Sequence, residues 1–100
     1  MTMGLGIDDL LKDKREAILA IADKHGATNV RVFGSVARGE AGPDSDIDFL
    51  IDKGSHRTPW FPVGLIQDWE ELLQRKVDVV FSNSIHPLIR DRILSEAKSL

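Results

Sequence analysis

Apolar residues recur at helical spacing in three parts of the chain. Over residues 8–25 they form a stripe that Lys14 interrupts, which predicts a helix that Gly26 would terminate. Similar spacing over residues 62–74 predicts a second amphipathic helix. Pro87 suits the first turn of a last helix, which would bury one face. The residues predicted to form that face are Ile89, Ile93, Ala97 and Leu100.

Three short runs rich in β-branched or apolar residues lie between these helices, and each predicts a strand. They cover residues 30–33, 46–51 and 76–81. The segment GSVARG after the first run has the composition of one short helical turn, and AGPDS before the second run is a loop. The element order is therefore α-β-(short α)-β-α-β-α, which places the chain in the α/β class.

Two acidic residues, Asp46 and Asp48, open the second predicted strand, where unpaired charge is expensive. Side chains alternate along a strand, so both carboxylates point to the same side and repel each other. A divalent cation between them would remove this repulsion, and Mg²⁺ is commonly held by one or two carboxylates together with substrate phosphates. The alternative is a solvated loop end at which Asp46 caps a turn.

Two further features favour the metal interpretation. Gly34-Ser35 follows the first strand, where a missing Cβ lets backbone amides approach a bulky anion and the serine can cap the next turn. Asp78 interrupts the apolar third strand, VDVVF. The alternative for Gly34-Ser35 is a simple turn with a serine cap. The alternative for Asp78 is a position on an edge strand, where its charge would be harmless.

These residues can share one site only in a particular arrangement of strands. Gly34 ends the first strand whereas Asp46 and Asp48 begin the second, so those two strands must run antiparallel. Asp78 lies near the start of the third strand, so the third must run parallel to the second. A parallel pair needs a crossover, and the helix predicted between these strands provides one. The helix prediction and the site hypothesis therefore support the same mixed sheet.

The composition describes one slightly acidic domain. Hydrophobic residues make up 42% of the 100 residues and the formal net charge is −3, so we expect a single domain over residues 1–100. No long basic run is present, which argues against direct stable nucleic-acid binding. The absence of cysteine excludes disulfides, zinc knuckles and thiol catalysis. No segment reaches transmembrane length and no leader pattern is present, so we expect a cytoplasmic protein that does not use a membrane.

Gly34-Ser35, ten further residues and then DID at 46–48 resemble the G-S-x10-D-x-D signature of the polymerase-β-type nucleotidyltransferases. The stretches GSVARGE, SDIDFLID and KVDVVF are similar to those of the minimal nucleotidyltransferases, or MNT proteins. The resemblance covers the chain from about Val30 to Ala97. It implies a polymerase-β-like nucleotidyltransferase fold, in which a small mixed β-sheet is flanked by helices.

The resemblance also implies roles for individual residues. Asp46, Asp48 and Asp78 would ligate two Mg²⁺ ions, and Asp78 would also help to activate the acceptor hydroxyl. Gly34 and Ser35 would hold the triphosphate of ATP, whose α-phosphate is attacked with release of pyrophosphate. Two ions about 4 Å apart suit such an in-line displacement.

Three other groups of residues carry weaker signals. The guanidinium of Arg38 can neutralise a phosphate, or it can pair with Glu40 or Asp44 at the surface. Trp60 and Phe61 are expected in the core, with a partner-binding patch as the alternative. The three histidines lack metal-ligand spacing and are interpreted as surface or capping residues: His25, His56 and His86.

The family resemblance implies a biological setting as well. Many MNT proteins resemble antitoxins that adenylylate a tyrosine of a HEPN ribonuclease toxin, which implies that this chain AMPylates a HEPN partner within a hetero-oligomer. The short chain leaves no room for an acceptor-binding domain, so we expect a protein acceptor. Two alternatives stay open: an antitoxin that only occludes its partner, and a small-molecule or RNA nucleotidyltransferase that borrows an acceptor domain. The complete acid triad favours catalysis over occlusion alone.

Overall fold

The structure is a computed structural model that describes residues 4–100 of the chain. Its strands are β1 (Ala27–Phe33), β2 (Ile47–Lys53), β3 (Val77–Phe81) and β4 (Lys98–Ser99). They form one sheet in the order β3-β2-β1-β4. Strand β2 runs antiparallel to β1 and parallel to β3, and β4 runs antiparallel to β1. This is the arrangement that the shared site required, so the predicted strand directions are confirmed.

Helices flank the sheet and connect its strands. They are α1 (Ile7–Leu10), α2 (Arg15–His25), α3 (Gly34–Arg38), α4 (Val63–Leu73) and α5 (Pro87–Glu96). Helix α3 is the short turn predicted after the first strand, and α4 is the predicted crossover between β2 and β3. Gly26 terminates α2 in a left-handed conformation with a φ of 89°, as predicted. Within residues 4–100, the helices are too short or too polar to cross a membrane.

The two faces of the sheet differ because side chains alternate along each strand. Ile47 and Phe49 of β2 are at most 1% exposed and belong to the main core, which α2 and α4 cover. Leu50 points the other way, into a smaller cluster with Ile93 of α5. Asp48 is two residues from Leu50 and shares its face. Strand β2 therefore places this carboxylate on the side of the sheet that α5 covers.

The first predicted helix is broken rather than continuous. Leu11 is fully buried after α1, a 3₁₀ turn follows over Lys12–Lys14, and α2 begins only at Arg15. In a continuous helix, Lys14 would lie on the same face as Leu11 and Ile18, both of which are core residues. The break keeps the Lys14 side chain in solvent, which costs less than burying an unpaired ammonium group.

The last predicted helix is shorter than expected. Helix α5 ends at Glu96, and Ala97 adopts an extended conformation that leads into β4. Leu100 then donates its N–H to a carbonyl of β1 at 3.3 Å. Ile93 is buried as predicted, whereas Ile89 is 48% exposed. The helix prediction beyond Glu96 is therefore wrong. These last residues instead make backbone hydrogen bonds to the edge of β1, which the spacing of apolar residues does not reveal.

The segment before α4 also departs from the prediction. Trp60 is 78% exposed, so its assignment to the core is wrong. Phe61 is half-buried and its ring packs on that of Phe81, with centroids 5.8 Å apart. Both residues lie outside the periodic elements, and the apolar pattern therefore did not fix which of the two would turn inward.

The histidines divide into different environments. His25 is only 7% exposed, so its interpretation as a surface residue is wrong. Its Nε2 lies 2.6 Å from Asp68 Oδ2 and its Nδ1 lies 3.0 Å from Thr58 Oγ1. This network ties the end of α2 to α4 and to the loop before it. His86 accepts the backbone N–H of Leu88 at the start of α5, which confirms its capping role.

The two tryptophans give a direct test of the core. Trp69 is fully buried, stacks on Phe49 with centroids 4.2 Å apart, and donates its indole N–H to the Ile18 carbonyl at 3.1 Å. We expect Trp69→Ala to lower the free energy of unfolding by about 3–5 kcal/mol. The control Trp60→Ala should change it by less than about 0.5 kcal/mol. Urea unfolding followed by circular dichroism measures both, and equal losses would contradict this core assignment.

Candidate active site

The candidate site lies where β1 ends and where β2 and β3 begin. In the sheet register, Phe33 lies opposite Asp48, and Asp48 lies opposite Asp78 on the other side. Gly34 follows Phe33 and starts α3. The structure therefore brings Gly34, Asp48 and Asp78 together from three elements, as the sequence-based topology predicted.

Gly34 lets the chain turn into α3 directly beside the acid. Its φ is 73°, a left-handed conformation that residues with a Cβ rarely adopt. A Cβ at this position would also overlap the Oδ2 atom of Asp48. Ser35 is half-buried in the first turn of α3. The left-handed backbone therefore favours glycine at position 34, and a larger residue would also have to displace the Asp48 carboxylate.

Asp46 lies just before β2 rather than within it, because the strand begins at Ile47. The preceding loop is braced from the side by Arg75, which donates to the carbonyls of Gly42 at 2.8 Å and Ser45 at 3.1 Å. Ser45 Oγ also accepts the Gly42 N–H at 2.8 Å. Asp46 is exposed, and this braced loop sets its position beside the strand.

The three predicted acids, Asp46, Asp48 and Asp78, form what we call the acid cluster, and they share one electrostatic environment. Burial, followed by the negative charges of Asp78 and Asp46, raises the pKa of Asp48 to about 6. The positive charge of Arg38 acts in the opposite direction. An excess of negative charge at a half-buried position favours a bound cation.

The acid cluster suits a hard cation that takes only some of its ligands from the protein. Its carboxylate oxygens are ligands that Mg²⁺ prefers. Within residues 4–100, no group of three or more His, Cys, Asp or Glu side chains is close enough to hold a metal ion by itself. Mg²⁺ usually keeps several waters and binds one or two carboxylates plus substrate phosphates. The acid cluster therefore fits a metal that arrives with a phosphate-bearing substrate.

A fourth acid, Glu96, reaches the site from the end of α5, and sequence reasoning missed it. Its Oε2 accepts the Gly34 N–H at 3.3 Å, and its Oε1 accepts from Arg38 Nη1 at 2.9 Å. Arg38 also donates from Nε to Glu40 at 2.7 Å, so the surface pair that the sequence left as an alternative is present. The sequence carried no signal for Glu96, because its position depends on where α5 ends and how α5 crosses the sheet.

These side chains line a groove between α3, β2 and α5 with a volume of about 370 Å³. A second groove, of about 440 Å³, lies beside Asp46 and is lined by residues 43–46 and 74–76. The first groove combines a backbone amide and guanidinium groups, which bind anions, with the carboxylate of Asp48. It can therefore hold an anionic ligand next to a cation. Its lining residues are Phe33, Gly34, Ser35, Arg38, Asp48, Ile89, Arg92, Ile93 and Glu96.

Comparison with known proteins agrees with this geometry. Residues 14–100 match the family described as nucleotidyltransferase domain. A protein of Methanocaldococcus jannaschii, provisionally named a protein adenylyltransferase, is 42% identical over 87 residues, which cover 87% of this chain and 94% of that protein. The protein adenylyltransferase MntA of Thermococcus cleftensis is 34% identical over 76 residues, which cover 76% of this chain and 77% of that protein.

Solved structures show the same likeness. A structure provisionally described as a minimal nucleotidyltransferase superposes with a TM-score of 0.81 at 42% sequence identity. The match covers 96% of this chain and 97% of the chain in that structure. A chain from a toxin–antitoxin crystal structure with AMP-PNP gives a TM-score of 0.71 at 19% identity, over 86% of this chain and 71% of its own, which shows the fold alone. The fold and site define a polymerase-β-like nucleotidyltransferase. The chain belongs to the minimal nucleotidyltransferase family, as its sequence indicated.

The raised pKa of Asp48 predicts a pH-dependent effect of removing its charge. Because the folded-state pKa of about 6 exceeds the ordinary value of 3.8, folding becomes less favourable as the pH rises through this window and Asp48 ionises. Asp48→Asn should therefore raise the free energy of unfolding of metal-free protein above about pH 6.5, by about 1–2 kcal/mol after solvent screening is allowed for. Near pH 4 the difference should vanish.

Urea unfolding in EDTA at the two pH values measures this effect. Asp44→Asn is a matched control, because Asp44 is an exposed acid in the loop before Asp46. The control should show no pH-dependent gain in stability. Lower stability of Asp48→Asn at neutral pH would show that this carboxylate is a structural group.

Proposed function

We propose that this chain is a Mg²⁺-dependent adenylyltransferase that acts as an antitoxin by AMPylating a HEPN ribonuclease toxin. The register that sets Asp48 opposite Asp78 and beside Gly34 is the observation that carries this proposal. Nucleotidyl transfer needs metal-binding carboxylates next to groups that hold a triphosphate, and this juxtaposition supplies both. The protein adenylyltransferase names of the relatives support AMP as the transferred group and ATP as its source.

Each residue of the site has a role in the proposed reaction. Asp46, Asp48 and Asp78 would ligate Mg²⁺ together with the substrate phosphates, and Gly34 and Ser35 would hold the triphosphate. The metal ions, when bound, would stabilise the charge that develops on the phosphate oxygens. Asp78 also helps to take the proton of the acceptor hydroxyl, whose oxygen bonds to the α-phosphorus as the bond to the β-phosphate breaks and pyrophosphate leaves. Asp78 is exposed at the start of β3, where an incoming hydroxyl can reach it.

Arg38 is proposed as a further phosphate-binding residue. It lines the groove beside Gly34 and Asp48, and a guanidinium binds phosphate oxygens in a bidentate manner. In this structure its guanidinium is paired with Glu40 and Glu96. Contact with a phosphate therefore requires Arg38 to exchange at least one of these partners.

The proposed acceptor is a tyrosine of the HEPN toxin, which docks as the second subunit of a hetero-oligomer. Chains of the same fold occur in toxin–antitoxin crystal structures, one of which contains MntA. At 19% and 20% identity those chains support the fold only, so the identity of the partner depends on the family resemblance. Asp46 and Asp78 are both exposed, which leaves the acid cluster accessible to a docking protein surface.

Removal of one carboxylate tests the catalytic assignment. We expect Asp48→Asn to reduce AMP transfer to the co-purified toxin by at least about a hundredfold, because a metal ligand is lost at the reacting phosphate. EDTA should abolish transfer by the parent protein. Intact-mass spectrometry of the toxin after incubation with ATP and Mg²⁺ measures both effects. Asp44→Asn should transfer normally, and full activity of Asp48→Asn would reject the assignment.

A triple variant separates catalysis from occlusion. With Asp46, Asp48 and Asp78 all changed to Asn, the toxin should gain no AMP mass, and co-expressed cells should lose protection from the toxin. Retained binding in a pull-down assay verifies that the complex still forms. If the triple variant protects cells as well as the parent does, the alternative of a non-catalytic antitoxin that neutralises by binding alone is correct.

A further inference from the structure

The carboxylate of Glu96 is held by donors from separate parts of the chain. Gly34 N–H lies 3.3 Å away, Arg38 Nη1 lies 2.9 Å away and Arg92 Nε lies 3.4 Å away. The Glu96 side chain is only 17% exposed. Backbone N–H groups and guanidinium groups are also the donors with which proteins bind phosphate oxygens. Glu96 therefore occupies a set of donors suited to a phosphate.

Glu96 is ionised in this position. Burial acts to raise its pKa, but the hydrogen bond and charge of Arg38, followed by Arg92 and the Gly34 N–H, hold the pKa below its ordinary value. A charged carboxylate in this position competes directly with an anionic ligand for the Gly34 N–H and for the guanidinium groups of Arg38 and Arg92.

We propose that Glu96 is an internal occupant of the phosphate site that the nucleotide must displace before transfer can begin. The inference rests on the proposed function, because it assumes that Gly34 binds the triphosphate. The carboxylate and a phosphate group cannot accept the same N–H at full strength, and their like charges repel. Displacement of Glu96 frees the Gly34 amide and one edge of the Arg38 guanidinium.

Glu40 is the second carboxylate partner of Arg38, and the proposed exchange leaves this pair unchanged. It accepts from Arg38 Nε at 2.7 Å, whereas Glu96 accepts from Nη1. Glu40 is exposed and lies two residues from Arg38 in the chain. Arg38 can therefore pass from Glu96 to a phosphate without losing its second carboxylate partner.

Affinity for an ATP analogue with a non-cleavable bridge between the α- and β-phosphates tests the inference without turnover. We expect Glu96→Gln, which keeps the shape and removes the charge, to bind Mg²⁺–α,β-methylene-ATP about three- to tenfold more tightly than the parent does. Isothermal titration calorimetry of the isolated protein measures this change. Glu40→Gln is the matched control, because it removes the other carboxylate of Arg38 without touching Gly34, and its affinity should stay within about twofold of the parent.

A second readout follows the Gly34 amide itself. In a ¹⁵N–¹H spectrum, its resonance should shift in Glu96→Gln without ligand, and again when the analogue is added to the parent. Should Glu96→Gln not fold, Glu96→Asp withdraws the carboxylate by one methylene and should give a smaller gain in affinity. Thermal unfolding of each variant identifies which of them is folded.

The other outcomes each reject a specific claim. Equal gains in Glu96→Gln and Glu40→Gln would show that release of Arg38, rather than of Gly34, controls affinity, and would overturn the inference. Weaker or unchanged binding by Glu96→Gln, with normal binding by the parent, would overturn the inference and leave the proposed function intact. Absence of nucleotide binding by the parent and by both variants would overturn the inference and the proposed function together.

Discussion

The backbone pairing of β2 with neighbours on both sides is the constraint on which the rest of the structure depends. Antiparallel pairing brings the end of β1 to the start of β2, and parallel pairing brings the start of β3 to the same place. The helix α4 must then cross the sheet, and its Trp69 fills the core against Phe49. The site and the core thus follow from one strand register, because the alternate residues of β2 supply both.

The same register makes the site unfavourable for the folded protein in the absence of ligand. Asp48 and Asp78 are neighbours on adjacent strands, and like charges in such positions destabilise a sheet. Functional sites often depart in this way from what stability alone would select. The main core lies on the opposite face, where Ile47 and Ile51 are at most 1% exposed, so the burial that stabilises the fold is kept apart from the charges.

Local patterns were sufficient to predict the three main strands and the residues placed at their ends, and the relative strand directions followed from the requirement that these residues share one site. The predictable residues were those whose face is fixed by alternation or by helical spacing. Glu96 and the strand β4 could not be predicted, because both depend on contacts between residues about 60 or more positions apart. Trp60 and His25 were misassigned for a related reason: their burial is decided by how loops and helix ends pack, which a one-dimensional pattern does not record.

The absence of a side chain at Gly34 has a consequence for how this site can change during evolution or design. Any larger residue would meet the Asp48 carboxylate and would also have to adopt a left-handed backbone. A substitution at one of these positions therefore changes what the other can accept, and their effects should not be additive. Gly34 and Asp48 are therefore a coupled pair, although they are fourteen positions apart in the sequence, and a design that changes one of them must also accommodate the other.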